Sequence, residues 1–98
     1  EINPSGWTPL IYAAFEGHED VIEFLISKGA EINAVAPNQA TALMVASKNG
    51  YLGTVKLLLK AEAYTDIKTS EGATALKWAT EGGHAQIVEL LKEAGAEQ

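Results

Sequence analysis

The chain has 98 residues, 47% of them apolar, which allows one globular domain and argues against disorder. Thirteen acids oppose seven bases, all lysines, for a net charge of −6; neither nucleic acid nor an anionic membrane is expected as a partner, because both call for a positive, usually arginine-bearing surface. No cysteine is present, which rules out a disulfide, a thiolate metal site and a thiol nucleophile, and favours an intracellular, cytoplasmic setting.

The chain starts Glu1-Ile2-Asn3-Pro4, with no basic stretch followed by an apolar one of the kind that marks a secretory leader. A first helix is predicted from Pro9 to Glu16. Thr8 offers a hydroxyl to cap it, Pro9 suits a first position whose N–H needs no partner, and Gly17 stops it in a left-handed conformation. A second helix is predicted from Glu19 to Lys28, with Val21, Ile22 and Leu25 as its apolar stripe. Glu19 and Asp20 at its start and Lys28 at its end suit the helix dipole. Gly29 closes it. The longest apolar runs, such as Leu57-Leu58-Leu59, fall far short of the roughly 20 residues of a membrane span.

The whole arrangement then recurs at a step of 33 residues. Thr8-Pro9-Leu10-Ile11-Tyr12-Ala13-Ala14 returns as Thr41-Ala42-Leu43-Met44-Val45-Ala46-Ser47 and again as Thr74-Ala75-Leu76-Lys77-Trp78-Ala79-Thr80. Glycine holds at Gly17, Gly50 and Gly83, leucine at Leu25, Leu58 and Leu91, alanine at Ala30, Ala63 and Ala96. Helices this short are marginal alone and persist by stacking, which the small Ala13, Ala46 and Ala79 permit. The expected fold is an all-α repeat solenoid of three helix-turn-helix units joined by β-turn or hairpin loops. Residues 1–98 form a single domain, with repeats at about 3–35, 36–68 and 69–98.

The pattern Gly-x-Thr-Pro-Leu-x-x-Ala-Ala-x-x-Gly-His, followed by Leu-Leu and Gly-Ala-x-x-Asn positions, resembles the ankyrin repeat, nearly complete from Gly6 to Asn33. There are departures. Pro9 becomes Ala42 and Ala75, and Ile11, Met44 and Lys77 stand where the family usually has histidine. Gln39 replaces the tip glycines Gly6 and Gly72, so the tip from Pro37 to Ala40 is expected to differ in backbone shape. Glu62 replaces Gly29 and Gly95, so the second helix of the middle unit is expected to run on through Ala61-Glu62-Ala63. Lys92, in the place of Ile26 and Leu59, gives the last unit a polar outer face, whereas Ile11, Tyr12, Phe15, Phe24 and Ile26 leave the first unit without a visible cap. That end reads as an excerpt of a longer array or as an interface.

The resemblance implies protein binding through the loop tips and the exposed side of the first helices. It places the variable tip positions at Pro4, Ser5 and Trp7, at Pro37, Asn38 and Ala40, and at Ser70, Glu71 and Ala73. The variable helix positions are Tyr12, Phe15 and Glu16, then Val45, Lys48 and Asn49, then Trp78, Glu81 and Gly82. Of the aromatics, Trp7, Tyr12, Phe15 and Trp78 fall at such positions, and exposed aromatics are the usual anchors of an interface. The expected partner-binding set is Trp7, Tyr12, Phe15, Ala40, Val45, Lys48, Trp78 and Glu81: aromatics at one end of a groove, Trp78 further along, Lys48 between. The competing reading has Tyr12 and Phe15 packing against a further repeat and Trp78 covering the edge of the core.

Catalysis is not expected. His18 and His84 lie two repeat steps apart in one slot after the turn glycine, where a histidine bonds to nearby backbone; they lack the His-Glu-x-x-His spacing of a zinc helix. Ser5, Ser27, Ser47 and Ser70 have no Gly-x-Ser-x-Gly context. Gly82-Gly83 lacks the Lys-Ser/Thr of a phosphate loop. The carboxylates Glu16, Glu19, Asp20 and Glu23 read as a solvated face. The chain is expected to be a monomer without cofactor or metal that binds another protein, with its acidic surface favouring a basic one. The alternative is a structural spacer with no partner of its own.

Overall fold

The computed structural model describes residues 6–96. Six helices follow one another: α1 (Pro9–Glu16), α2 (Glu19–Ser27), α3 (Ala42–Asn49), α4 (Leu52–Lys60), α5 (Ala75–Glu81) and α6 (Ala85–Glu93). Each first helix is opened by a threonine in extended conformation whose hydroxyl oxygen accepts from the N–H three residues on. Thr8 takes Ile11 N at 3.1 Å, Thr41 takes Met44 N at 3.2 Å and Thr74 takes Lys77 N at 3.1 Å. Each first helix also closes in the same way. Gly17 and Gly50 turn left-handed, at φ 74° and 79°, and the next residue donates back to an alanine carbonyl, His18 to Ala13 and Tyr51 to Ala46. In the third unit Gly83 is the left-handed residue, at φ 75°, and His84 donates to Ala79 O. Links of two residues in the first two units and three in the third start the second helix at once, and its first turn has no side-chain cap.

The helices form two layers. α1, α3 and α5 pack side by side, α2, α4 and α6 pack side by side behind them, and each pair is joined front to back. Between the layers runs one core, with Ile22, Val55, Leu58, Ile87 and Leu91 of the rear helices meeting Leu10, Leu43 and Leu76 of the front ones. Burying a side chain of this kind contributes about 1.5–3 kcal/mol. Ala13, Ala46 and Ala79 are fully buried on the front helices, and their small size sets how closely the layers approach.

Neighbouring units are also joined by polar contacts. Asn49 Nδ2 donates to Phe15 O (3.0 Å), Tyr64 N to Asn33 Oδ1 (2.8 Å) and Ser70 N to Asn38 O (3.0 Å). The rings of Tyr51 and His84 lie over the turn glycines of the units before them, Gly17 and Gly50, where a Cβ would meet the ring at 3.1 and 2.6 Å. His84 Nε2 lies 3.1 Å from Lys48 O. His84 therefore bonds to backbone, that of the preceding unit.

Two expectations about glycine replacements are overturned. Gln39 takes φ 71°, close to the 87° of Gly6 and 85° of Gly72. Its tip closes with Ala36 N to Ala40 O and Gln39 N to Ala36 O, as the next closes with Thr69 N to Ala73 O and Gly72 N to Thr69 O. The tips share one backbone shape because those paired bonds, not the residue at the bend, set it. Likewise Glu62 takes φ 68°, so α4 stops at Lys60 and does not run on. Leu58 O accepts from Ala61 N and Ala63 N, and the buried Ala63 beyond fixes the exit path. Lys28, expected inside the second helix, caps its end. The tip residues Pro4 and Ser5 lie outside the described residues.

Two stability predictions follow from local conflicts. A side chain at positive φ costs about 1 kcal/mol or more. Glu62→Gly is therefore expected to raise stability by about 1 kcal/mol and Tm by roughly 4–8 °C; an unchanged or lower midpoint in thermal unfolding contradicts this. Thr54 is fully buried and its Oγ1 has no hydrogen-bond partner. It occupies the column of Val21 and Ile87, and an unpaired buried hydroxyl costs about 1–3 kcal/mol. Thr54→Val is expected to stabilise the fold by about 1–2 kcal/mol in urea titration, and a destabilised variant would show that the hydroxyl has a partner in solution.

Candidate functional site

The repeat places the same side of each unit on the same side of the molecule. The loop tips and the exposed flank of α1, α3 and α5 thus make one continuous surface. A cavity of about 420 Å³ opens on it, lined by Trp7, Phe15, Ala36, Pro37, Asn38, Ala40, Val45, Lys48, Asn49 and Trp78. Six of the eight residues singled out from the sequence share this lining: Trp7, Phe15, Ala40, Val45, Lys48 and Trp78.

The first unit supplies an aromatic wall. The rings of Trp7 and Phe15 meet edge to face with centroids 5.2 Å apart, and Tyr12 lies against Trp7 at 6.5 Å, outside the lining. Edge-to-face contact satisfies the charge distribution of both rings and fixes their planes. Trp7 leans on the core, while Phe15 is 42% exposed. Ala40 and Val45 are buried and form the floor. Their small size leaves the hollow: Ala40 and Trp7 occupy the same column of the repeat, so a tryptophan at one end of the groove is followed by an alanine in its middle.

The third unit supplies the opposite wall. Lys48 Nζ stands 5.2 Å from the centre of the Trp78 ring, a cation over a π face. Lys48 is the one charged residue of the lining. Glu81 lies outside the lining and pairs with Lys77 one turn back along α5, at 3.1 Å with both side chains more than half exposed. Such an exposed pair contributes little to stability. Asn49 is held by its bond to Phe15 O, which fixes the floor between the first and second units. Pro37, Asn38 and Asn49 were visible as variable positions. Ala36 carried no signal, since its role comes only from standing at the base of the tip, where its N–H closes the turn on Ala40 O.

The site offers apolar surface, ring faces and one ammonium group. Among the described residues no group of three or more His, Asp or Glu side chains is placed to hold a metal ion, and no helix is long and apolar enough to cross a membrane.

Comparison with known proteins agrees with this architecture. The family description "Ankyrin repeats (3 copies)" matches residues 33–98, and "Ankyrin repeat" matches residues 5–37. The chain is 40% identical over 35 residues to human "Ankyrin repeat and SAM domain-containing protein 3", a stretch that covers 36% of this chain and 5% of that protein. It is 39% identical over 41 residues to "NAD-capped RNA hydrolase NUDT12" of human and of Macaca fascicularis, covering 42% of this chain and 9% of those proteins. The chain thus spans less than a tenth of the length of these relatives, and the hydrolysis named in the second belongs to that protein. Matched by the family descriptions from residue 5 to residue 98, with capped helix pairs stacked at a step of 33 residues, the chain belongs to the ankyrin repeat family.

Proposed function

We propose that the chain is a non-catalytic protein-interaction module that holds a partner protein in the groove between the Trp7–Phe15 wall and the Trp78–Lys48 wall. Ankyrin repeats are generally protein-interaction modules, and the groove lies on the surface made by the tips and first helices. The observation that carries the reading is the lining itself. Three aromatic rings from two separate units frame an apolar floor around about 420 Å³ of space, with Phe15 exposed. Buried aromatics at the centre of a contact carry most of its binding energy, and this hollow admits one or two side chains of a partner. The net charge of −6 favours a partner whose surrounding surface is basic, since complementary charge speeds encounter. The groove holds apolar surface and a single cation without converging acid and base groups, which suits binding better than chemistry.

The test compares proteins captured from cell lysate by this chain and by a Trp7→Ala, Tyr12→Ala, Trp78→Ala variant with unchanged helical circular dichroism. A captured partner is then titrated against both. Loss of about 2 kcal/mol or more on truncating the anchors, at least thirtyfold in Kd, is expected. A partner that binds both chains equally well contradicts the groove.

A further inference from the structure

We infer that the face of the first unit carrying Pro9, Val21 and Phe24 is a docking surface for one more ankyrin unit, presented in the register in which the second and third units already stack. The argument is an internal comparison down the columns of the repeat. The column of Pro9 continues as Ala42 and Ala75, that of Val21 as Thr54 and Ile87, and that of Phe24 as Leu57 and Leu90. In the second and third units these positions face the unit before. Ala42, Ala75, Thr54 and Ile87 are buried there, and Leu57 and Leu90 are partly covered. Leu57 shares a crevice with Glu23, Ile26 and Ser27 of the first unit, and Leu90 shares one with Leu52 and Lys56 of the second. In the first unit the same columns stand open: Val21 is 43% exposed and Phe24 59%, with Lys28 Nζ 5.6 Å from its ring centre.

The outer face of the third unit has the opposite character. The columns that receive the next unit are Ile11, Met44, Lys77; Ala14, Ser47, Thr80; and Ile26, Leu59, Lys92. Ile11, Met44, Ala14 and Ser47 are buried between units, whereas Lys77, Thr80 and Lys92 are polar and exposed. Apolar residues thus persist on the open face of the first unit, while polar ones replace them on the open face of the third. A second copy stacked head to tail would set Val21 and Phe24 against Lys77, Thr80 and Lys92, taking the Lys92 ammonium and the exposed Lys77–Glu81 pair out of water at a desolvation cost that apolar side chains do not repay. The fitting occupant presents apolar or small side chains in the columns of Ile11, Ala14 and Ile26, as the first and second units of this chain do. The interface it would make continues the two already present.

The experiment places a copy of residues 34–66 ahead of residue 1 of the full chain, which keeps the 33-residue step and offers Met44, Ser47 and Leu59 to the open face. Val21→Lys with Phe24→Glu is made in both the original and the extended chain. In the original chain these positions meet water, so the double variant should keep its helical circular dichroism and shift Tm by no more than about 2 °C. The extended chain should unfold in one transition with Tm raised by roughly 5–10 °C, and amides of α1 and α2 should exchange more slowly. The double variant should abolish that gain. A separate low-temperature transition for the added unit, or a gain that survives the double variant, overturns the inference. So does a dimer of the original chain in analytical ultracentrifugation that the double variant dissolves, since the face would then belong to a second copy.

Discussion

Every helix here is between seven and nine residues long, too short to persist in water by its own hydrogen bonds. What holds each one is the side of another. Ile22, Val55 and Ile87 reach into the space between layers, Ala13, Ala46 and Ala79 let the layers close, and Met44 and Ser47 of the middle unit are buried between units. The constraint is mutual coverage: no unit can bury its apolar columns alone, so each depends on its neighbour for its order. The threonine caps and glycine turns start and stop the helices at the right places, but they contribute about 1 kcal/mol apiece and cannot replace the stack.

Mutual coverage also makes the grooved surface. Because one step of 33 residues repeats without a gap, every tip and every front helix faces the same way. The tips are tied at Ser70 N to Asn38 O, and the front helices at Asn49 to Phe15 O. Side chains far apart in sequence, Trp7 and Trp78, then stand on the walls of one cavity. The buried positions are held by the demands of packing, so side-chain choice is free at the exposed ones: on this surface, on the outer sides of the rear helices and on the open faces of the first and third units. There the chain has placed rings and one lysine in the groove, an apolar face on the first unit and polar residues on the last.

The period, the helix bounds and the stop glycines were legible because each follows from local chemistry: a hydroxyl cap, an apolar stripe, a residue free to turn left-handed. Gln39 and Glu62 misled because a single-residue preference was weighed without its neighbours. The bonds of Ala36 to Ala40 and of Leu58 to Ala63 hold those turns in place, and the side chain at the bend accepts the strain. In the groove, the aromatics were legible as large rings at variable, surface-type positions, although Trp7 and Trp78 also pack against the core. The depth was not. It arises because Ala40 and Val45 sit below the rims set by Trp7 and Trp78, a difference in height that appears only once the columns are stacked. Glu81 shared its variable position with the others, yet the turn of α5 brings it to Lys77.

The central claim, that the units stand only by covering one another, is tested most directly with the two tryptophans at opposite ends of the stack. Trp78→Phe leaves Trp7 to report on the first unit, and Trp7→Phe leaves Trp78 to report on the third. Urea unfolding of each variant is followed by tryptophan fluorescence and by helical circular dichroism. The account predicts that within each variant the two probes trace one transition with a single midpoint, whichever end the tryptophan reports on. A fluorescence midpoint displaced from the helical one, with one end unit melting while the other keeps its helices, would contradict it.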